Sequence, residues 1–190
     1  MTSERDVFKQ QMQAVLTGRV RHRADDLGLI CAAVLVPLLF KEGQWHVVVT
    51  LRTDYVEHHK GQISFPGGAC DPGDADLEET ALRETFEEIG VSPEEVEVLG
   101  ALDDMATVTS FVVTPFVGVI PYPCNYQLSE HEVEAVIEVP LSFLCEPSHL
   151  HVERREHQGH DVDVLFWEYG AFTIWGATAR ILKSLLDLIP

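Results

Sequence analysis

The sequence predicts an α/β fold in which a mixed sheet is flanked by a few helices. Strand-length runs rich in Val, Leu and Ile recur at 29–40, 45–52, 96–102, 111–120 and 133–139. Two stretches, Leu77–Ile89 and Trp175–Leu188, carry helical periodicity instead. Strands and helices do not alternate strictly, which disfavours a doubly wound parallel sheet.

The elements follow in order. Residues 4–17 form a short amphipathic helix with Val7, Phe8, Met12, Val15 and Leu16 on one side, Ser3 as N-cap and Gly18 as stop. A basic stretch follows, Arg19-Val-Arg21-His22-Arg23, which reads as a solvated connector or as a phosphate contact. Residues 1–28 are thus an N-terminal helix and connector, and 29–190 the main domain. Leu29–Phe40 and Trp45–Arg52 are strands joined by a turn at Lys41-Glu-Gly43, and 53–68 is a loop ending in Phe65-Pro66-Gly67-Gly68. After the helix Leu77–Ile89 come strands at Val96–Leu102, Phe111–Ile120 and Val133–Val139. Leu150–Arg155 and Val162–Glu168 form a hairpin around Gln158-Gly159, and Trp175 opens the final helix.

Composition narrows the function. A length of 190 residues with 46% hydrophobic content suits one globular domain. No apolar run reaches the ~18 residues a membrane span needs, and the polar start MTSERDVFKQQMQ is no signal peptide. A net charge of −18 argues against nucleic acid or an anionic membrane as partner. Cys31, Cys70, Cys124 and Cys145 lie far apart without zinc-type spacing, so free thiols and a cytoplasmic location are expected.

The helix at 77–89 carries the chemistry. With Glu84 at 0°, Glu87 falls at about −60° and Glu88 at about +40°, so three carboxylates share one arc. Leu82, Phe86 and Ile89 fall on the opposite side, which is the expected core face. Like charges at i,i+4 cost ~0.2–0.5 kcal/mol, and anions near a helix C-terminus cost ~0.3–1 kcal/mol. Only Arg83, at i,i+4 from Glu87, compensates locally. A hard divalent cation would remove the conflict; a solvated acidic face is the plain alternative. Gly67-Gly68 permits close backbone approach, and its carbonyl is a further candidate ligand.

Gly68 to Val91 resembles the Nudix box, G-x5-E-x7-R-E-U-x-E-E-x-G-U with U apolar, and matches it at Arg83, Glu84, Glu87, Glu88, Gly90 and Val91. One extra residue precedes the helix, Thr85 takes an apolar position, and either Asp74 or Asp76 takes the place of the first acid. Upstream, Thr50 to Gly68 is similar to the signature of Nudix coenzyme A pyrophosphatases. It matches at Arg52, Gly61 and Phe65 to Gly68, with Thr53 for Ser or Ala and Glu57 for Arg. Val113-Thr114-Pro115 and Phe172 to Thr178 extend the likeness over about residues 30–182.

The resemblance implies a Nudix α/β/α sandwich and water attack on the pyrophosphate of coenzyme A, giving 3′,5′-ADP and 4′-phosphopantetheine. It implies Mg²⁺ or Mn²⁺ held by Glu84, Glu87, Glu88 and the Gly68 carbonyl, with Arg83 in the catalytic group. A Glu from a distant loop completes the set, and Glu132, with Glu134 behind it, is the candidate. Arg52, Lys60, Gly61, Phe65, Gly67 and Gly68 are the expected substrate contacts, with His58, His59, Arg21, Arg23 and Trp175 as further candidates. The partner is a small molecule, and a homodimer stays open. The alternatives are a Nudix pyrophosphatase for another nucleoside diphosphate derivative and a non-catalytic Nudix-fold binding module.

Overall fold

The computed structural model describes residues 3–24, 28–53, 61–157 and 159–189. Its order is α1 (Glu4–Gly18), β1 (Ile30–Lys41), β2 (Gln44–Arg52), β3 (Ile63–Ser64), β4 (Gly67–Ala69), α2 (Leu77–Ile89), β5 (Glu97–Ala101), β6 (Met105–Ala106), β7 (Phe111–Val119), β8 (Val133–Pro140), α3 (Leu141–Leu144), β9 (Leu150–His157), β10 (His160–Tyr169), β11 (Phe172–Trp175) and α4 (Gly176–Leu186). The larger sheet runs β3-β2-β1-β7-β5, with β4 on β1, β6 on β7 and β8 on β2. Among the described residues only β1 and β7 pair in parallel, from Ile30↔Phe111 to Leu38↔Val119, so the sheet is mixed as expected. A second antiparallel sheet runs β11-β10-β9.

Apart from its terminal Lys41, β1 is apolar because both of its faces are covered. Ala32, Val36 and Leu38 join one core with Met12 and Leu16 of α1 and Ala179, Ile181, Leu182 and Leu185 of α4. Ala33, Leu35 and Leu39 join a second core with Ala81 and Ile89 of α2. Helices therefore lie on both faces, which is the α/β/α sandwich.

Pro37 fits this central strand for a topological reason. Leu35 N donates to Pro66 O, whereas Leu38 O accepts from Ile120 N. Odd-numbered residues of β1 thus face the side shared by β4 and β2. Pro37 falls between the β4 pairing at 32–34 and the β2 pairing at 38–41, where a missing N–H breaks no ladder.

Two expectations are corrected here. The stretch 53–68 is not all loop, because β3 and the start of β4 lie within it; strands of two or three residues are too short to show alternation. Nor are all four cysteines free. Cys31 and Cys70 form a disulfide with Cα atoms 5.6 Å apart, while Cys124 and Cys145 stay free. The β1–β4 pairing causes this: Ala32 faces Ala69, and Cys70 N donates to Cys31 O at 3.0 Å. Among the described residues, no helix is long and apolar enough to cross a membrane.

Candidate active site

α2 starts where Asp76 accepts from Glu79 N and stops at Gly90, whose φ of 73° provides the left-handed cap. Its packing face differs from the expected one. Ala81, Thr85, Glu88 and Ile89 are buried, whereas Phe86 is 53% exposed. The core face is centred about 80° from the expected direction, towards the carboxylates. The small Ala81 and Thr85 let α2 approach β1 closely, and Thr85 Oγ1 satisfies itself on Ala81 O at 2.6 Å. The acidic and core faces therefore meet, and Glu88 lies on the seam with 1% of its surface exposed.

Glu88 Oε1 accepts from Arg52 Nη1 at 3.1 Å, and Oε2 accepts from Gly67 N at 3.3 Å. Burial pushes its carboxyl up to about 7, against the pull of Arg52 and with the repulsion of Glu132 and Glu84. Glu84 is shifted upward by burial too, with Glu87 and Glu132 adding to it and Arg83 opposing. Glu87 stands at the exposed rim.

Arg83 knits the site to its loop. Its Nε and Nη2 grip both oxygens of Asp74 at 2.8 and 3.0 Å, Nη1 reaches Glu84 at 2.8 Å and Glu87 at 3.1 Å, and Nη2 also meets Ala69 O at 3.3 Å. This grip holds the Asp74 carboxyl well below the usual range and raises Arg83. The two candidate acids thereby divide the work: Asp74 is the partner of Arg83, and Asp76 caps the helix.

The glycine loop is fitted to this cluster. A Cβ on Gly68 would lie 2.5 Å from Glu84 Cδ, so the Glu84 carboxylate occupies the space a side chain would fill. Gly67 has φ of 149°, and a Cβ there would lie 2.4 Å from Ala33 O.

Glu132 is brought to the same place by its turn. Ser129 N donates to Glu88 O and Gln127 N to Ile89 O, both at 2.9 Å. The far end is held by Thr53, whose N donates to Glu132 O at 3.0 Å and whose Oγ1 donates to His131 O at 2.6 Å. Thr53, Gln127 and Ser129 were not legible as site-building residues, since most of their bonds run through backbone atoms. Glu134 points to the exposed surface of β8.

Other expected contacts fall differently. Arg52 stands on Glu88 instead of presenting a free guanidinium. Gly61 N donates to Arg52 O at 3.1 Å, so this glycine sets the backbone of Arg52. Phe65 is 3% exposed within the first core and supports the loop from below. Arg21 is committed to Asp104 and Thr114, and Arg19 to Asp103, so these two guanidiniums already stand on partners, while Val20, His22 and Arg23 of the same stretch are exposed. Trp175 lies stacked beside Phe166 with ring centroids 6.4 Å apart. Lys60, with Glu57, His58 and His59, lies outside the described residues.

Among the described residues, no three His, Cys, Asp or Glu side chains are gathered into a finished cation cage. The guanidiniums of Arg52 and Arg83 stand on the carboxylates instead. The donor set nevertheless suits a divalent cation. Glu84 and Glu88 each resist ionisation partly because of the other carboxylates, and hard oxygen donors are what Mg²⁺ and Mn²⁺ take.

A profile of the NUDIX domain matches residues 30–167. The chain is 44% identical over 154 residues to a protein called uncharacterized Nudix hydrolase NudL from Enterobacter sp. (strain 638), covering 81% of this chain and 80% of that one. The protein of the same name from Klebsiella pneumoniae subsp. pneumoniae is 42% identical over the same coverage. Among solved structures, a MutT/nudix family protein from Enterococcus faecalis aligns with a TM-score of 0.56 at 16% identity, over 97% of this chain and 73% of that one. A Nudix hydrolase from Alicyclobacillus acidocaldarius aligns with 0.52 at 23% identity, over 62% and 81%. These likenesses show the fold, and the profile and sequence relatives show the lineage: this chain belongs to the Nudix family.

Proposed function

We propose that this Nudix hydrolase cleaves the pyrophosphate of coenzyme A, giving 3′,5′-ADP and 4′-phosphopantetheine with Mg²⁺ or Mn²⁺ as cofactor. The observation that carries the hydrolytic reading is the convergence of Glu84, Glu87, Glu88 and Glu132 beside the Gly67-Gly68 backbone. Glu84, Glu87 and Glu88, with the Gly68 carbonyl, would hold the cation. When bound, the metal polarises phosphoryl oxygens and makes a water more acidic. Arg83, anchored by Asp74, fixes the directions of Glu84 and Glu87. Glu132, whose carboxylate is near enough to Glu84 and Glu88 to oppose their ionisation, would take a proton from the attacking water. The glycines at 67–68 let the loop backbone close on Ala33 and on the Glu84 carboxylate, which seats the acidic cluster against the loop. The narrower assignment to coenzyme A is supported by the sequence from Arg52 to Gly68.

A second reading is a Nudix pyrophosphatase for another nucleoside diphosphate derivative. Glu57 favours it, because an anion stands where the coenzyme A signature has a cation. One assay separates the two: coenzyme A, dephospho-coenzyme A, ADP-ribose and diadenosine tetraphosphate offered with Mg²⁺ or Mn²⁺, products resolved by chromatography. The coenzyme A reading expects 3′,5′-ADP from coenzyme A and a lower kcat/KM once the 3′-phosphate is removed. Equal turnover of dephospho-coenzyme A and ADP-ribose would favour the broader reading.

A further inference from the structure

The two arginines of the site are held in very different ways. Arg83 is bidentate on Asp74 and also bonds Glu84, Glu87 and Ala69 O. It is locked from several directions. Among the described residues, the Arg52 guanidinium has one hydrogen bond, Nη1 to Glu88 Oε1 at 3.1 Å, and its side chain is 20% exposed. Its backbone is fixed, with Arg52 N on Gln62 O and Gly61 N on Arg52 O, next to a register shift at Leu51/Arg52. A rigid root thus carries a long side chain whose charged end is held, among the described residues, by a single contact.

That contact is with the most buried carboxylate of the cluster. Glu88 is 1% exposed and has no other cationic partner among the described residues. A carboxylate removed from water needs a positive neighbour. We propose that Arg52 is the resident counter-ion of Glu88, that a divalent cation displaces it, and that the released guanidinium then binds the substrate diphosphate. A doubly charged ion among these carboxylates repels a guanidinium a few ångströms away. The freed fork matches phosphate oxygens, which Arg binds in bidentate fashion. Glu88 would then be neutralised in either state, and the cation for the substrate would be freed only once the metal is in place. This inference rests on the metal-dependent reading above.

The test reads metal binding directly. Free Mn²⁺ is followed by electron paramagnetic resonance at pH 8, without substrate, for wild type, Arg52→Gln, Arg52→Lys and a remote control, Lys9→Gln, which loses its pair with Glu97. Arg52→Gln should bind Mn²⁺ roughly three- to tenfold more tightly. Arg52→Lys, which keeps the charge, should stay near wild type, and so should Lys9→Gln. At saturating Mn²⁺, calorimetry with α,β-methylene-ADP should show Arg52→Gln binding the diphosphate about tenfold more weakly.

Unchanged or weaker Mn²⁺ binding by Arg52→Gln overturns the exchange, because Arg52 then organises Glu88 and does not compete for it. Equal tightening by Lys9→Gln also overturns it, as a net-charge effect. Tighter Mn²⁺ with unchanged diphosphate affinity overturns the hand-over. If Arg52→Gln fails to fold, Arg52→Lys decides: Mn²⁺ affinity near wild type with weakened diphosphate binding supports the proposal, and wild-type affinity for both overturns it. Failure of the underlying reading looks different, since wild type would then show neither saturable Mn²⁺ binding nor Mn²⁺-dependent hydrolysis.

Discussion

Replacing Glu88 by Gln should stabilise the metal-free protein, and only above a certain pH. The reason is its position on the seam between core and site, where 1% of its surface remains exposed. Its carboxyl moves from 4.5 to about 7 on folding. At ~1.4 kcal/mol per tenfold, ionising it in the folded state costs about 3 kcal/mol more than in the unfolded chain. The sign follows from proton binding. Between pH 4.5 and about 7 the folded state holds this proton more firmly than the unfolded state. Stability therefore falls as pH rises through that window, and the loss is complete above it. Gln carries no charge and escapes the loss, while its amide keeps an acceptor for Gly67 N or Arg52. Some of the gain is offset because Arg52 loses its counter-ion, although a side chain that is 20% exposed recovers part of its hydration.

The net expectation is ~1–3 kcal/mol at pH 8, or roughly 3–10 °C for a chain of this size, and little difference at pH 4.5. Thermal and denaturant unfolding of both proteins in EDTA at the two pH values measures it. A less stable Glu88→Gln at pH 8 would show that the Arg52–Glu88 pair outweighs the cost of burial, and a difference independent of pH would show that ionisation of Glu88 is not its source. Saturating Mg²⁺ should reverse the order, because a ligand that binds only the folded state stabilises it and Glu88→Gln would lack one of the proposed metal ligands. Turnover should fall by orders of magnitude in the same variant.

Three further expectations follow from single contacts. Gly68→Ala places a methyl 2.5 Å from Glu84 Cδ; displacing that carboxylate should lower kcat roughly tenfold to a hundredfold, as steady-state kinetics would show, with a much smaller change in melting temperature. Reducing Cys31–Cys70 should lower stability by roughly 2–4 kcal/mol, and thiol titration of the unreduced, denatured chain should find two reactive sulfhydryls, Cys124 and Cys145. Glu57→Arg reverses a charge in the signature loop and should lower KM for coenzyme A by about threefold to tenfold, less at high salt; a raised KM at both low and high salt would show that Glu57 orders the loop.

What could be read from the sequence depended on how each constraint is written along the chain. The helix Leu77–Ile89 was legible to the residue, because its apolar periodicity, its αL glycine and its carboxylate spacing are all local. Its orientation was not. Periodicity placed Phe86 in the core, and only packing against β1 shows that Ala81 and Thr85 lead because they are small. The same limit hid the disulfide, whose cysteines are 39 residues apart and meet only through the register of β1 and β4. It also hid the partner of Arg52. As the last residue of a strand, Arg52 could be assigned to solvent or to substrate with equal ease. The hairpin closure at Gly61 and the turn at 129–132 bring β2 and the end of α2 together and set it on Glu88. The box motif supplies the carboxylates, but their protonation and their counter-ions are set by segments outside the box. Two Nudix chains with identical boxes can therefore differ in metal affinity and pH dependence. The residues at 52–53 and 127–132 are where such differences should be sought first.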